Sequence, residues 1–181
     1  VQQGLELLTN LTHRGATGYD PKLGDGAGLL IQISDDFFRN ETQINKIKLP
    51  AFGYYGIGMV FLPQKENQRD FCTALFEEEI IKQGLSILGW RKVPVNRSVV
   101  GRIAQQTEPY VGQVFVGKGK EGLSDHEFNV KLFIARKIAE HKIIASKLSQ
   151  SQYFYFPSLS THTLIYKGLL VPEDIEAFYL D

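Results

Sequence analysis

Cysteine is nearly absent from this chain: Cys72 stands alone among 181 residues, which excludes an internal disulfide and any disulfide-stapled scaffold. An excess of either charge is also lacking. Lysine and arginine number 20, aspartate and glutamate 20, and the formal net charge is zero. No overall field exists to recruit nucleic acid or an anionic membrane, so partners must be sought in local chemistry. No apolar run approaches the roughly 20 residues of a bilayer span, and no basic-then-apolar leader opens the chain. The expectation is a cytoplasmic protein, a plastid origin remaining open. The four histidines, at 13, 126, 141 and 162, show no two-ligand spacing, and no metal site is expected. Repeats, low-complexity tracts and linkers are missing too. The first residue is Val1, which suggests a piece of a longer polypeptide.

What is present suits one buried core: 43% of residues are apolar and 22% charged. Val1, Leu5, Leu8 and Leu11 recur at helical spacing and predict a helix over residues 1–12. A short apolar run at 28–33 reads as a strand. Ser34 with Asp35 and Asp36 reads as the start of a one- or two-turn helix carrying Phe37 and Phe38. Residues 53–63 form the next strand, stopped by Pro63. A helix over 67–84 is expected to turn Phe71, Leu75 and Ile81 inward, with Glu77, Glu78 and Glu79 on the wet side. Strands follow at 86–95 and 110–116, separated by a short helix that Ser98 caps and that runs to Gln106. Ser124 and Glu127 in the string SDHE make a capping box, with Phe128, Leu132, Ala135 and Ile138 running behind it. Residues 153–170 read as a hairpin, and Pro172 opens a last helical turn. Strands alternating with helices predict an α+β domain, with nothing dividing the chain in two.

The stretch HRGATGYDPKLGDGAG, residues 13–28, carries five glycines and calls for a chemical explanation. Glycine permits positive φ and close approach of backbones. A dinucleotide-binding loop needs strand, glycines, helix in that order, whereas here the order is helix, glycines, strand. No Gly-Lys-Ser/Thr element for a P-loop occurs either. His13 and Arg14 have two readings: cations that complement the exposed carbonyls of a helix end, or an arginine fork planted by a rigid turn to hold a carboxylate or an anionic intermediate. Cys72 falls mid-helix beside Phe71, with no histidine near it in sequence. It reads as a small buried hydrophobe rather than a nucleophile.

The string GLELLTNLTHRGATGYDPKLGDGAGLLIQISDDFF, residues 4–38, resembles the opening of the class-II glutamine amidotransferase domain of the glutamate synthase family. LGWRKVPVN (88–96), TEPYVGQVFV (107–116), FNVKLFIARK (128–137), YFPSLSTHTLIYKGLL (155–170) and FYLD (178–181) continue the likeness in order. The resemblance implies an N-terminal-nucleophile hydrolase fold, a four-layer αββα sandwich incomplete at both ends, and a single partial amidotransferase domain over 1–181. It further implies hydrolysis of L-glutamine to glutamate and ammonia by a cysteine thiolate whose own α-amine acts as base. The ammonia is passed to 2-oxoglutarate for reductive glutamate synthesis, with FMN and an iron–sulfur cluster in the full-length enzyme. Arg14, with His13 and Gly15, matches the family's HRG element, which supports the nucleophile or binds substrate.

Partners implied are the remaining synthase domains of the polypeptide and a small reductase subunit or ferredoxin. The electron donor is not set by these residues. Cys72 does not match the nucleophile, and neither SRFSTNT nor HNGE, which carry substrate-binding and oxyanion residues in the family, occurs in the chain. The expectation is a fragment inactive on its own. Thr161-His162 stands where the family suggests Ser-Arg. Two other readings remain open: a nucleophile-less amidotransferase-like binding or scaffold module, and a fragment of the related purine-pathway amidotransferase.

Overall fold

A computed structural model describes residues 1–14, 24–119 and 122–181, with the backbone alone at Arg14 and Ile103. Six helices and six strands are formed by these residues: α1 (Gln2–Asn10), β1 (Ala27–Gln32), α2 (Asp35–Ile44), β2 (Tyr55–Leu62), α3 (Glu66–Lys82), β3 (Ser86–Lys92), α4 (Arg102–Thr107), β4 (Tyr110–Gly117), α5 (Asp125–Ala145), β5 (Tyr155–Ser160), β6 (Thr163–Gly168) and α6 (Asp174–Phe178). The strands make two sheets, one of order β3-β4-β2-β5 and one of β1 with β6. The chain forms two compact units: Val1–Ile31 with Val93–Glu108 and Ile165–Asp181, and Gln32–Lys92 with Pro109–Leu164.

The second of these units is built on the four-stranded sheet. β2 pairs antiparallel with β4 along its whole length, from Tyr55 opposite Gly117 to Leu62 opposite Tyr110. β2 is buried at every position but Phe61, as a central strand covered on both faces must be. α3 and α5 cover one face. Cys72, Phe76 and Ile80 from α3 meet Phe128, Leu132, Ala135, Ala139 and Ile143 from α5 over Val60, Leu62, Val114 and Val116. At about 25 cal/mol per Å² of apolar surface, each fully buried Phe or Leu contributes roughly 2 to 3 kcal/mol. α2 covers the other face, where Phe38 packs edge-on against Phe115 with ring centroids 5.8 Å apart.

Several local expectations shift. The inward face of α3 is Cys72, Phe76 and Ile80, while Phe71 and Ile81 are 44% and 64% exposed. Glu79, expected in water, is 2% exposed and is held by Lys82 and Lys142 at 2.9 and 2.7 Å. That pairing removes most of the cost of burying a lone carboxylate. On α5 it is Ala139 rather than Ile138 that reaches the core. The capping box is formed as read, with Ser124 and Glu127 each satisfying the other's backbone amide. Ser34 caps α2, which runs for 10 residues rather than one or two turns. The expected 98–106 helix is two pieces: a single turn, Arg97–Val99, capped by Asn96, and then α4. β5 and β6 are not a hairpin pair: β5 adds to β2 in the large sheet, and β6 pairs with β1.

In the first unit β1 and β6 form the sheet, and Val95 bridges to Tyr179. The Tyr179 ring meets Tyr166 edge-on at 4.9 Å, and its hydroxyl donates to the Lys167 carbonyl at 2.8 Å. Burial pushes the Tyr179 phenol upward, the carbonyl notwithstanding, so it stays a donor at any ordinary pH.

Candidate functional site

The HRG element begins where α1 ends. Leu11 closes the helix through its amide to the carbonyls of Leu7 and Leu8, and Thr12–Arg14 adds one tight turn. The Thr12 hydroxyl lies 2.6 Å from the Thr9 carbonyl and 2.8 Å from Glu173 Oε1, sharing its one proton between the helix end and the chain just before α6. His13 is exposed, and its Nδ1 donates to the Asn10 carbonyl at 3.0 Å, since a carbonyl can only accept. The helix-end role for His13 is therefore present. The Arg14 side chain and Gly15 lie outside the described residues, as do the positions up to 23.

From Gly24 onward the purpose of the glycines is visible. A Cβ on Gly24 would run into the carbonyl of Leu170, and one on Gly28 would lie 2.7 Å from Lys167 Cβ and 2.9 Å from the Tyr166 carbonyl. Gly26 sits at φ +128°, a conformation closed to side chains. The second half of the glycine stretch thus exists for backbone contact with β6 and the residue pair after it.

Thr161-His162 also acquires a role. Thr161 is 2% exposed. Its hydroxyl donates to Asp125 Oδ1 at 3.0 Å and accepts from Asn129 Nδ2 at 2.7 Å, while its amide donates to Asn129 Oδ1. His162 Nε2 lies 2.5 Å from Asp125 Oδ2, and the His162 carbonyl accepts the Ile33 amide at 2.8 Å. Burial acts to raise the Asp125 carboxyl, but the bonds from His162 and Thr161 and the field of Lys118 outweigh it, and the group stays below its ordinary value. The carboxylate lies in the first turn of α5, where negative charge is favoured. An aspartate–histidine pair invites comparison with a general base. Here the neighbouring hydroxyls are committed: Thr161 to Asp125, and Ser160 Oγ to the amides of His162 and Thr163. The cluster fixes the corner at which the chain leaves the large sheet for β6.

Cys72 is fully buried, and burial alone pushes its thiol up to about 11. A thiol so placed is no nucleophile at neutral pH. Among the described residues no group of three or more His, Cys, Asp or Glu side chains is arranged to hold a metal ion. Like Glu79, a second buried charge escaped the sequence reading. Arg91 on β3 is 4% exposed, with Nη1 3.1 Å from Gln113 Oε1, Nη2 3.6 Å from Glu41 Oε2, and its guanidinium 5.9 Å from the Phe37 ring. The irregularity between Ile87 and Gly89 shifts the register of β3. An arginine is rarely buried without a partner, and nothing in GWR itself names Gln113, Glu41 or Phe37 as the groups that receive this one.

Comparison with known proteins bears on these residues as a set. The family model for class-II glutamine amidotransferases matches residues 1–181. The NADPH glutamate synthase large chain of Bacillus subtilis is 46% identical over 181 residues, covering 100% of this chain and 12% of that protein. The corresponding large chain of Azospirillum brasilense is 35% identical over 182 residues, again 12% of its length. The chloroplastic ferredoxin-dependent glutamate synthase of Oryza sativa subsp. japonica is 39% identical over 181 residues, 11% of its length. The chain thus spans about an eighth or less of the curated relatives it matches.

Proposed function

The chain belongs to the class-II glutamine amidotransferases, and from that premise we propose that it is part of the glutaminase unit of a glutamate synthase large chain. The observation that carries the proposal is the unbroken 46% identity over all 181 residues with such a large chain. On this reading both compact units belong to one amidotransferase domain, of the four-layer αββα type found in N-terminal-nucleophile hydrolases. The substrate is L-glutamine. A cysteine thiolate attacks the side-chain amide carbon, its proton having passed to an α-amine whose pKa near 8 suits it as a base at neutral pH. Ammonia leaves, and water then releases glutamate from the thioester. Since Cys72 is sealed in the core, the thiolate comes from outside these residues.

Within the chain, the HRG element contributes Arg14 as a planar fork beside the reacting carboxylate or thiolate, with Gly15 next to it in support of the site and His13 as the anchor of the helix end. The glycine contacts with β6 and the Thr12 bond to Glu173 support this reading, because they tie both ends of the stretch to fixed backbone. FMN and an iron–sulfur cluster supply the reductive half of the parent reaction, in which ammonia and 2-oxoglutarate become glutamate. A cluster needs several thiolates, and one buried cysteine does not provide them, so the cluster belongs to other parts of the polypeptide. NADPH through a reductase subunit, or ferredoxin, is the electron source.

The test is ammonia release from glutamine by the longer polypeptide that contains this chain, with Arg14→Ala as the variant. Loss of a charged, oriented donor at the reacting centre lowers kcat/KM on the order of a hundredfold. Unchanged turnover and glutamine affinity in Arg14→Ala removes that residue from the site. Absence of glutaminase activity in the unaltered polypeptide favours the scaffold reading over the enzyme.

A further inference from the structure

We infer that the outer face of α5 is a docking surface for another domain of the same polypeptide. A surface helix carries one apolar stripe toward its core and polar residues opposite. α5 departs from this pattern. Phe128, Leu132, Ala135, Ala139 and Ile143 fill the core, yet Val130, Phe133, Ile134 and Ile144, on the opposite side of the helix, are 41%, 60%, 37% and 64% exposed. A helix apolar on both sides belongs between two layers. Ile81 on α3, 64% exposed, extends the patch. It falls between two contacts that hold the helices side by side, Lys131 Nζ to the Gln83 carbonyl and Lys142 Nζ to Glu79 Oε1, both 2.7 Å.

The cations around the patch indicate what kind of occupant fits. Lys82 is held by Glu78 and Glu79, Lys142 by Glu79, and Arg136 and Lys137 by Glu140. With most of its cations already held by carboxylates of the same two helices, the face offers a partner apolar side chains more than free charge. Lasting interfaces have this more hydrophobic character. The chain accounts for only 11 to 12% of relatives that match it along its full length, so a large body of covalently attached chain accompanies such a segment in them. An attached domain meets the patch at a high effective concentration, which a separate partner or second copy lacks. The inference rests on the reading of the chain as part of a large synthase polypeptide.

The experiment places Phe133→Cys and Ile144→Cys, separately, in that longer polypeptide and follows maleimide labelling of the native protein against its urea-unfolded form. Cys72, fully buried, provides the internal reference for a covered thiol. Both new thiols are expected to label at least about tenfold more slowly in the native polypeptide than in urea, at a rate independent of protein concentration. Rapid labelling in the native state overturns the inference, and so does protection that disappears on dilution, which identifies a second copy as the cover. Glutaminase activity is measured on the same preparations before maleimide is added. Protected thiols without activity would leave the docking face standing and remove the enzymatic reading, and exposed thiols with activity would do the reverse.

Discussion

Replacing Asp125 with asparagine isolates the charge at the Thr161-His162 corner, because the amide keeps an oxygen of nearly the same shape. Three contributions are lost. The bond from the buried Thr161 hydroxyl changes from a charged to a neutral acceptor, worth about 1 kcal/mol. The favourable placement of a carboxylate in the first turn of α5 is worth about 0.5 kcal/mol. The His162 pair, with both side chains about half exposed, adds no more than about 0.5 kcal/mol after screening by solvent. Asp125→Asn is therefore expected to cost about 1.5 to 2 kcal/mol at pH 7. With a urea dependence of roughly 2 kcal/mol/M, the unfolding midpoint drops by about 1 M.

The pH dependence has a definite sign. The folded-state pKa of Asp125 is held below its ordinary value, so the folded protein binds fewer protons than the unfolded one across the carboxylate range. The stabilisation is fully present above the unfolded pKa, about 3.9, and is lost as pH falls through the lowered folded value. Wild type and variant should thus differ most at neutral pH and converge in acid. Equal urea midpoints at pH 7, or a gap that widens on acidification, refute the assignment of charge to this corner.

Two further measurements test the packing. Phe76 is fully buried, 4.8 Å from the Phe156 ring and 6.0 Å from Trp90, and Phe76→Ala should cost about 3 to 5 kcal/mol in chemical denaturation. A cost under about 1 kcal/mol would mean that the layer between α3 and the large sheet is not tightly filled. Gly84 and Gly28 are glycines for different reasons, and calorimetry of the two alanine variants separates them. Gly84→Ala meets no neighbour within 4 Å but sits at φ +74°, and should lose about 1 kcal/mol. Gly28→Ala places a methyl against the backbone of β6 and should lose at least about twice as much. The reverse order would contradict the close approach of β1 to β6.

What could be read without coordinates was local. The Ser124 box and the Ser34 cap depend on residues within one turn, and both formed as spaced. Leu75 packs against the core as expected, but Phe71 and Ile81 were misread because they compete with Cys72, Phe76 and Ile80 for the same helix, whose apolar residues lie on more than one side. Only the neighbouring α5 decides between them. The pair β5 and β6 looked like a hairpin because two apolar runs flank a short polar link. Their true partners, β2 and β1, lie far away in sequence, and strand alternation says nothing about partner choice. Ser98 was taken as a cap, but Asn96, two positions earlier, accepts its amide and hydroxyl. At the site, the backbone role of Gly24 and Gly28 was legible from glycine content and position. The burial of Arg91 was not, because it depends on Gln113, Glu41 and Phe37, which lie far from it in sequence. The likeness to glutamate synthases was carried by long collinear strings, which survive local misreadings of this kind.

The order of the large sheet has a consequence for biosynthesis. β2 lies at its centre, yet one of its neighbours is β4 and the other is β5, whose Ser160 pairs with Ile57. During translation the most apolar strand of the sheet has no complete set of partners until β5, about a hundred residues further along, has been made. Until then the edge of β2 that faces β5 can be satisfied only by water, by chaperones or by neighbouring nascent chains, which makes the yield of native protein sensitive to the pace of synthesis between β2 and β5.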